Sequence, residues 1–335
     1  MDGERSSDIR VLAAKDDLDR RKVLAIVTAA LVAPDTGWAQ QRQISVLVPF
    51  PAGGGLDALA RIVTQEIAER SGLSFVVESK PGANGSIAAR AAAQGQPGAP
   101  IWLVAHDSVV TVNPALYGTQ GGIDPQAELK AVYGLAQSPS ILVVHPGFGP
   151  KTLGEFIAFG RQNEITYASG GLGSAGHLTM EQLGRACGLK LRQVPYRGSA
   201  PALTDLLAGQ VPAAFISISG AMNHVESGAL RALAVSSLKR IDQLPQLPTV
   251  AESGYPGFEF VETFFVFVSS QIPASQRADI AKQLALIMDD GAIREKIRTL
   301  GVETVSMSAQ EAEAWLAKAR EEKSRLIIEL GIKPQ

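Results

Sequence analysis

The chain has 335 residues, 46% hydrophobic and 19% charged, with a formal net charge of −2. That length accommodates two ordinary domains, and nothing in the near-neutral charge points to a nucleic-acid or acidic-membrane partner. A single cysteine, Cys187, excludes an intrachain disulfide and any Cys-based metal cluster, and is read as a small buried hydrophobe.

The N-terminal segment reads as a targeting signal rather than as part of the fold. Arg20, Arg21 and Lys22 precede the apolar run Val23 to Val32, which is too short to span a bilayer. Pro34, Gly37 and Ala39 follow, so residues 1–39 are expected to be an export signal cleaved near Ala39. The paired arginines fit a twin-arginine route as well as the general one.

Apolar strands then alternate with amphipathic helices, the pattern of an α/β protein. ISVLVPF from Ile44 is a strand and LDALARIVTQEIAERSG a helix ending at Gly72. SFVVES is the next strand, PGANG turns into the helix SIAARAAAQ, and IWLVAHD is the third strand. Ser138-Pro139-Ser140 reads as a break before the strand ILVVHP. The helix TLGEFIAFGRQN has Thr152 as its N-cap, and the strands ITYAS, LRQVPY and VPAAFIS alternate with the helices HLTMEQLGRACG and APALTDLLAG. LRALAVSS and TFFVFVSS are strands, and two long helices, from Ser275 to Gly301 and from Ala309 to Gly331, finish the chain. The layout predicts lobe one from residues 40–137 and 261–335, and an inserted lobe two from residues 138–260.

Three times a strand passes through a Gly/Ser-rich elbow into a helix: at Phe50 to Asp57, at Ser169 to His177, and at Tyr196 to Ala200. Each elbow presents helix N-terminal N–H groups, which favour an anion. The glycine run calls for a positive φ at Gly54, which lets backbone approach a ligand. The candidate ligand-binding residues are therefore Phe50, Ala52, Gly53, Gly54 and Asp57 from the first elbow; Ser169, Gly170, Gly173, Ser174 and His177 from the second; and Tyr196, Gly198, Ser199 and Ala200 from the third.

Competing readings are weaker. Gly53 to Ala58 satisfies G-x-G-x-x-A and Gly171 to Gly176 satisfies G-x-G-x-x-G, but Phe50 and Pro51 loosen the first turn and no acid follows the second. Asp57 near a helix N-terminus is more often a cap or dipole partner than a ligand contact, and Tyr167 and Tyr196 are either lobe core or cleft wall. Arg197 offers a cation to a carboxylate or is a solvated loop charge. No serine lies in a G-x-S-x-G elbow, and His106, His145 and His224 lack metal-ligand spacing. No catalytic pair, metal site or cofactor is expected.

The strings VPFPAGGGLDALAR, VVESKPGANGSIAA, NPALYG, LVVHP, TYASGGLGSAGHL, VPYRGSAPALTDLLAGQV and LPQLPTVAESGYPGFE occur in this order along almost the whole chain beyond the signal. Together they resemble the Bug receptors, the periplasmic solute-binding proteins of tripartite tricarboxylate transporters. The resemblance implies a two-lobed periplasmic binding protein fold, a type II-like Venus flytrap with two crossing hinge strands. It implies a monomeric periplasmic receptor that closes on a small organic acid, a carboxylate or an acidic amino acid, and passes it to membrane transporter subunits. A receptor that feeds a sensor kinase is the alternative, and a nucleotide-dependent enzyme on a similar scaffold a distant third. Leu56, where a hydroxyl residue is common, and Gln96 to Pro100, in place of a Pro-Asp-Gly turn, depart from the pattern.

Overall fold

A computed structural model describes residues 43–118 and 123–333. The expected export signal lies outside the described residues. Among these residues, no helix is long and apolar enough to cross a membrane.

The sheet is organised around one long strand. β1 (Ile44–Val48) lies between β2 (Phe75–Ser79) and β3 (Ile101–His106), all parallel. β3 pairs antiparallel with β9 (Val261–Ser269), and β9 pairs antiparallel with the first part of β4 (Leu129–Val144). The second part of β4 pairs with β7 (Ala213–Ser217) and β8 (Arg231–Val235), and β7 leads to the parallel strands β5 (Glu164–Ser169) and β6 (Lys190–Pro195). β10 (Glu303–Met307) completes the first half of the sheet on the free side of β4.

Each half is covered on both faces, as parallel strands joined by helices require. On the first half, α1 (Gly55–Ser71), α10 (Ala274–Met288) and α11 (Gly291–Arg298) bury Leu59, Val63, Leu284 and Ile297 against Val46, Trp102 and Val266. Its other face carries α2 (Ser86–Ala93) and α12 (Ala309–Glu329), packed on Leu103, Phe265 and Phe267. On the second half, α6 (Leu153–Gln162) and α7 (Ala175–Cys187) cover Leu142, Tyr167 and Phe215. α8 (Ser199–Leu207) and α9 (Ile218–Glu226) cover Ile141, Ala168 and Ile216. Cys187 is buried in the α6–α7 layer.

Local signals act as expected at several ends. Gly72 caps α1 in the left-handed region at φ 72°, and the Thr152 side chain accepts from the Glu155 N–H. The Ser138-Pro139-Ser140 break does not form: β4 runs straight through it. Proline lacks a donor, and Pro139 sits at the last β9 pair (opposite Val261), one residue before the β7 ladder begins at Ser140. Buried Ser236 clasps this crossing. Its Oγ accepts from Ser140 N at 2.9 Å and donates to Phe260 O at 2.6 Å, so β4 and the segment entering β9 cross side by side.

The expected helix from Ser275 to Gly301 is two helices. Asp290 starts the second by accepting from the Ala292 N–H at 2.9 Å. Three short helices, α3 (Ser108–Thr111), α4 (Asn113–Tyr117) and α5 (Pro125–Glu128), as well as α9 and β10, carry no assignment in the sequence reading.

Candidate functional site

A cavity of about 600 Å³ opens at the carboxyl ends of the strands. One wall combines Pro49, Phe50 and Pro51 after β1 with Pro81 to Ser86 after β2. The other combines Gly170, Gly171 and Leu172 after β5 with Arg197 and Gly198 after β6, and Tyr117 of α4 stands between the walls.

The β2–α2 turn owes its shape to four successive positive φ values: Gly82 128°, Ala83 46°, Asn84 48° and Gly85 91°. Two of these are not glycine, and each such residue costs roughly 1–2 kcal/mol unless its surroundings hold it. Buried Asn113 supplies that hold. Its Nδ2 donates to Asn84 O at 2.8 Å and to Ser86 Oγ at 3.1 Å, while its Oδ1 accepts from Asn84 Nδ2 at 2.8 Å. One helical turn on, Tyr117 donates its hydroxyl to Leu172 O at 3.0 Å. The short helix α4 thus braces one wall and ties it to the other. Burial pushes the Tyr117 pKa up, so the phenol stays a neutral donor.

Phe50 is positioned from below. His106 is stacked between Phe50 and Phe264, with ring centroids 4.7 and 4.9 Å away, and its Nδ1 lies 2.9 Å from Glu262 Oε1. Burial opposes charge on this imidazole, but the Glu262 carboxylate outweighs it and raises the His106 pKa. Glu262 pairs with Ser138 in the β4–β9 ladder, so the aromatic stack links the cavity wall to the crossing strands.

Of the residues expected from the sequence, Phe50, Gly170 and Gly198 line the cavity. Ala52, Gly53, Gly54, Asp57, Ser169, Gly173, Ser174, His177, Tyr196, Ser199 and Ala200 are not among its lining residues. Several of these have work inside their own loops. The Gly53 N–H donates to Asp57 Oδ2 at 3.0 Å, and Asp57 is also paired with Arg61 at 3.0 and 3.1 Å. The Arg61 hydrogen bond holds the Asp57 carboxyl below its ordinary range, against the opposing effect of burial. In the second elbow the Gly173 N–H donates to His177 Nδ1 at 3.1 Å, and Ser174 caps α7 by accepting from the His177 N–H. Burial lowers the His177 pKa to about 4, so the imidazole is a neutral acceptor. The positive φ expected at Gly54 belongs to Gly53 (87°), whereas Gly54 is extended at −79°.

Tyr167 proves to be core, fully buried with its hydroxyl donating to Glu181 Oε1 at 2.5 Å. Tyr196 is half-buried and donates to Asp205 Oδ2 at 2.7 Å. The residues that the sequence reading missed are Pro81 to Ser86, Tyr117 and Leu172. Asn113 and Tyr117, four apart in NPALYG, share one helix face, and that spacing is the signal that marks them.

Arg197 is the charged side chain among the described lining residues, and no carboxylate is among them. Among the described residues, no group of His, Cys, Asp and Glu is placed to hold a metal ion. The arrangement can bind: it offers loop amides, the Ser86 hydroxyl and apolar proline, leucine and phenylalanine surface, in a concave site of ligand size.

Comparison with known proteins identifies the family. Residues 59–332 match the family model described as the tripartite tricarboxylate transporter family receptor. A UPF0065 protein from the tcbD-tcbE intergenic region of Pseudomonas sp. strain P51 is 32% identical over 93% of this chain and 95% of its own. Among solved structures, Rpa4515 of R. palustris, determined with adipate, is 30% identical with a TM-score of 0.83, covering 89% of this chain and 100% of that one. The periplasmic binding protein BugD is 30% identical with a TM-score of 0.80, covering 88% and 99%. The two halves carried by β4 are therefore the lobes of a periplasmic binding protein fold, and the chain belongs to the tripartite tricarboxylate transporter receptor family, that of the Bug receptors.

Proposed function

We propose that this protein is an extracytoplasmic receptor that captures a small organic carboxylate between its lobes and delivers it to the membrane subunits of a tripartite tricarboxylate-type transporter. The observation that carries this reading is the cavity itself: two loop walls joined through α4, with neutral donors and, among the described lining residues, one cation and no acid to repel a carboxylate. Removing a carboxylate from water is costly unless several donors replace that water, and such walls can supply them. The adipate in Rpa4515, which covers nearly all of this chain at 30% identity, supports the ligand class. An enzyme would need titratable groups with opposed acid and base roles at the reacting centre; among the described lining residues there is no Asp, Glu, His, Cys or Lys, and burial keeps the Tyr117 phenol neutral.

In this reading residues 40–137 and 261–335 form one lobe and residues 138–260 the other. They hinge where β4 and β9 cross at Ser138–Leu142 and Glu262–Phe267. The protein is exported, with its mature N-terminus near Gln40, and acts as a monomer in the periplasm.

Calorimetry on protein stripped of carried-over ligand by unfolding and refolding tests the function. A panel of mono-, di- and tricarboxylates should yield at least one ligand at roughly micromolar affinity or better, about −8 kcal/mol. Tight binding of NAD or a flavin, with every carboxylate silent, would overturn the receptor reading.

A further inference from the structure

We propose that His106, stacked behind the cavity-wall residue Phe50, sets how tightly the site holds an anion: its proton balances the Glu262 carboxylate, and capture weakens when that proton is lost. This rests on the carboxylate-receptor reading and adds to it a residue that governs affinity without lining the cavity.

Four ionisable side chains from three elements meet behind Phe50. His106 and Asp107 stand at the end of β3, Glu262 at the start of β9, and Lys323 reaches in from α12. Asp107 is buried and already partnered: Oδ1 accepts from the Thr263 N–H and Oδ2 from Thr111 Oγ1, both at 3.1 Å. Lys323 Nζ lies 3.4 Å from the centre of the Phe260 ring. Burial works against this ammonium, while Asp107, Glu262 and the exposed Glu322 and Glu259 favour it. Glu262 is left to His106, whose Nδ1 is 2.9 Å from its Oε1. With all four groups ionised the cluster is neutral; without the His106 proton it carries one net negative charge.

Phe50 lines the cavity and stacks on one face of His106, and Phe264 covers the other. Between rings rather than water, the charge is weakly screened, and an anion resting against Phe50 feels it. Each proton that the cluster loses makes it more negative, so anion affinity falls with rising pH whichever member titrates first. His106 is the member with an ordinary value nearest neutrality. Burial opposes its charge, but Glu262 raises its pKa above 6.5. Affinity is therefore full on the acid side of that raised value and declines as pH climbs through it. By reciprocity, a bound anion strengthens the hold of His106 on its proton by the same factor.

The test is calorimetry with hexanoate, succinate, adipate and tricarballylate between about pH 6.5 and about pH 9, where carboxylates stay ionised. The proteins are the full mature chain and its His106→Gln and Glu262→Gln variants. For the tightest binder, wild-type affinity should fall at least about threefold across this range. His106→Gln should bind at the wild type's weaker, alkaline value throughout. Glu262→Gln, which removes the acid beside a neutral imidazole, should stay near the stronger, acid-side value. A purely structural role would weaken both variants and leave the pH profile unchanged, and that result would overturn the proposal. Should either variant fail to fold, NMR on the wild type decides alone: the His106 imidazole should titrate at higher pH with the anion bound than without it. An unmoved titration, or an affinity flat with pH, would overturn the proposal and leave the receptor reading intact. A folded wild type that binds none of the four would bring down both.

Discussion

The β1–α1 and β5–α7 elbows use the same device with different chemistry. In each, a glycine N–H donates to a side chain four residues on, in the first turn of the helix: Gly53 to Asp57 and Gly173 to His177. The first acceptor is a carboxylate paired with half-exposed Arg61; the second is a neutral, buried imidazole. The surroundings differ too. A Cβ on Gly53 would meet nothing within 4 Å, whereas one on Gly173 would lie 2.4 Å from Leu116 Cδ1 and 3.2 Å from Val112 Cγ1. A glycine-rich elbow at a helix start is therefore not by itself an anion site. Both glycines give their N–H groups to their own loops, and the cavity is lined by their neighbours Pro49–Pro51 and Gly170–Leu172 together with the Pro81–Ser86 turn, Tyr117, Arg197 and Gly198.

Alanine at the two glycines should break the symmetry most visibly. Both have positive φ, 87° and 73°, so each substitution carries strain of roughly 1–2 kcal/mol. Gly173→Ala adds overpacking against Leu116, worth about 1–3 kcal/mol more. Denaturant midpoints should therefore fall further for Gly173→Ala than for Gly53→Ala, and equal shifts would show that Leu116 yields freely.

Acid should separate the elbows next. His177 has a folded pKa of about 4, below the ordinary 6.5, so its contribution to stability is complete above about pH 6.5 and is lost as pH falls toward 4. The Asp57 pKa is lowered from 3.8, so its contribution is present above that value and lost only below it. As pH falls from about 5 through about 4 the Gly173 amide resonance should shift or broaden first, while that of Gly53 moves only at lower pH. The opposite order would contradict the assignment of the acceptors.

The smallest effect is expected for Asp57→Asn. The amide still accepts from Gly53, and only the pair with half-exposed Arg61 is lost, about 0.5–1 kcal/mol by chemical denaturation. Carboxylate affinity should stay within about twofold. A larger fall would place Asp57 in the ligand's reach.

Much of the fold was legible because local chemistry and tertiary packing agree. Thr152, Gly72 and the alternation of strand and helix mark their elements directly. The first half of β4 was not, because Ala131 to Ala136 is buried on both faces and shows no two-residue period, and Pro139 looks like a breaker until its place at a strand crossing is known. The join at Asp289-Asp290 hides within one continuous amphipathic pattern, although Asp290 before Gly291 has the form of an N-cap. At the site, Phe50, Gly170 and Gly198 were legible as elbow residues. The Ala83–Asn84 turn was legible as a turn but not as cavity wall: its positive φ values are held by Asn113, a residue 29 positions away in sequence, and no local pattern records that brace.

The most direct test of the account is a crystal structure of the mature protein with the tightest carboxylate of the panel. A ligand carboxylate should lie about 3 Å from backbone N–H groups of the Ala83–Ser86 turn or the Gly170–Leu172 loop, with Phe50 against its carbon chain. A ligand seated instead on the amides of Gly53 and Gly54, or in the separate groove formed by Pro146, Arg231 and Pro248, would contradict it.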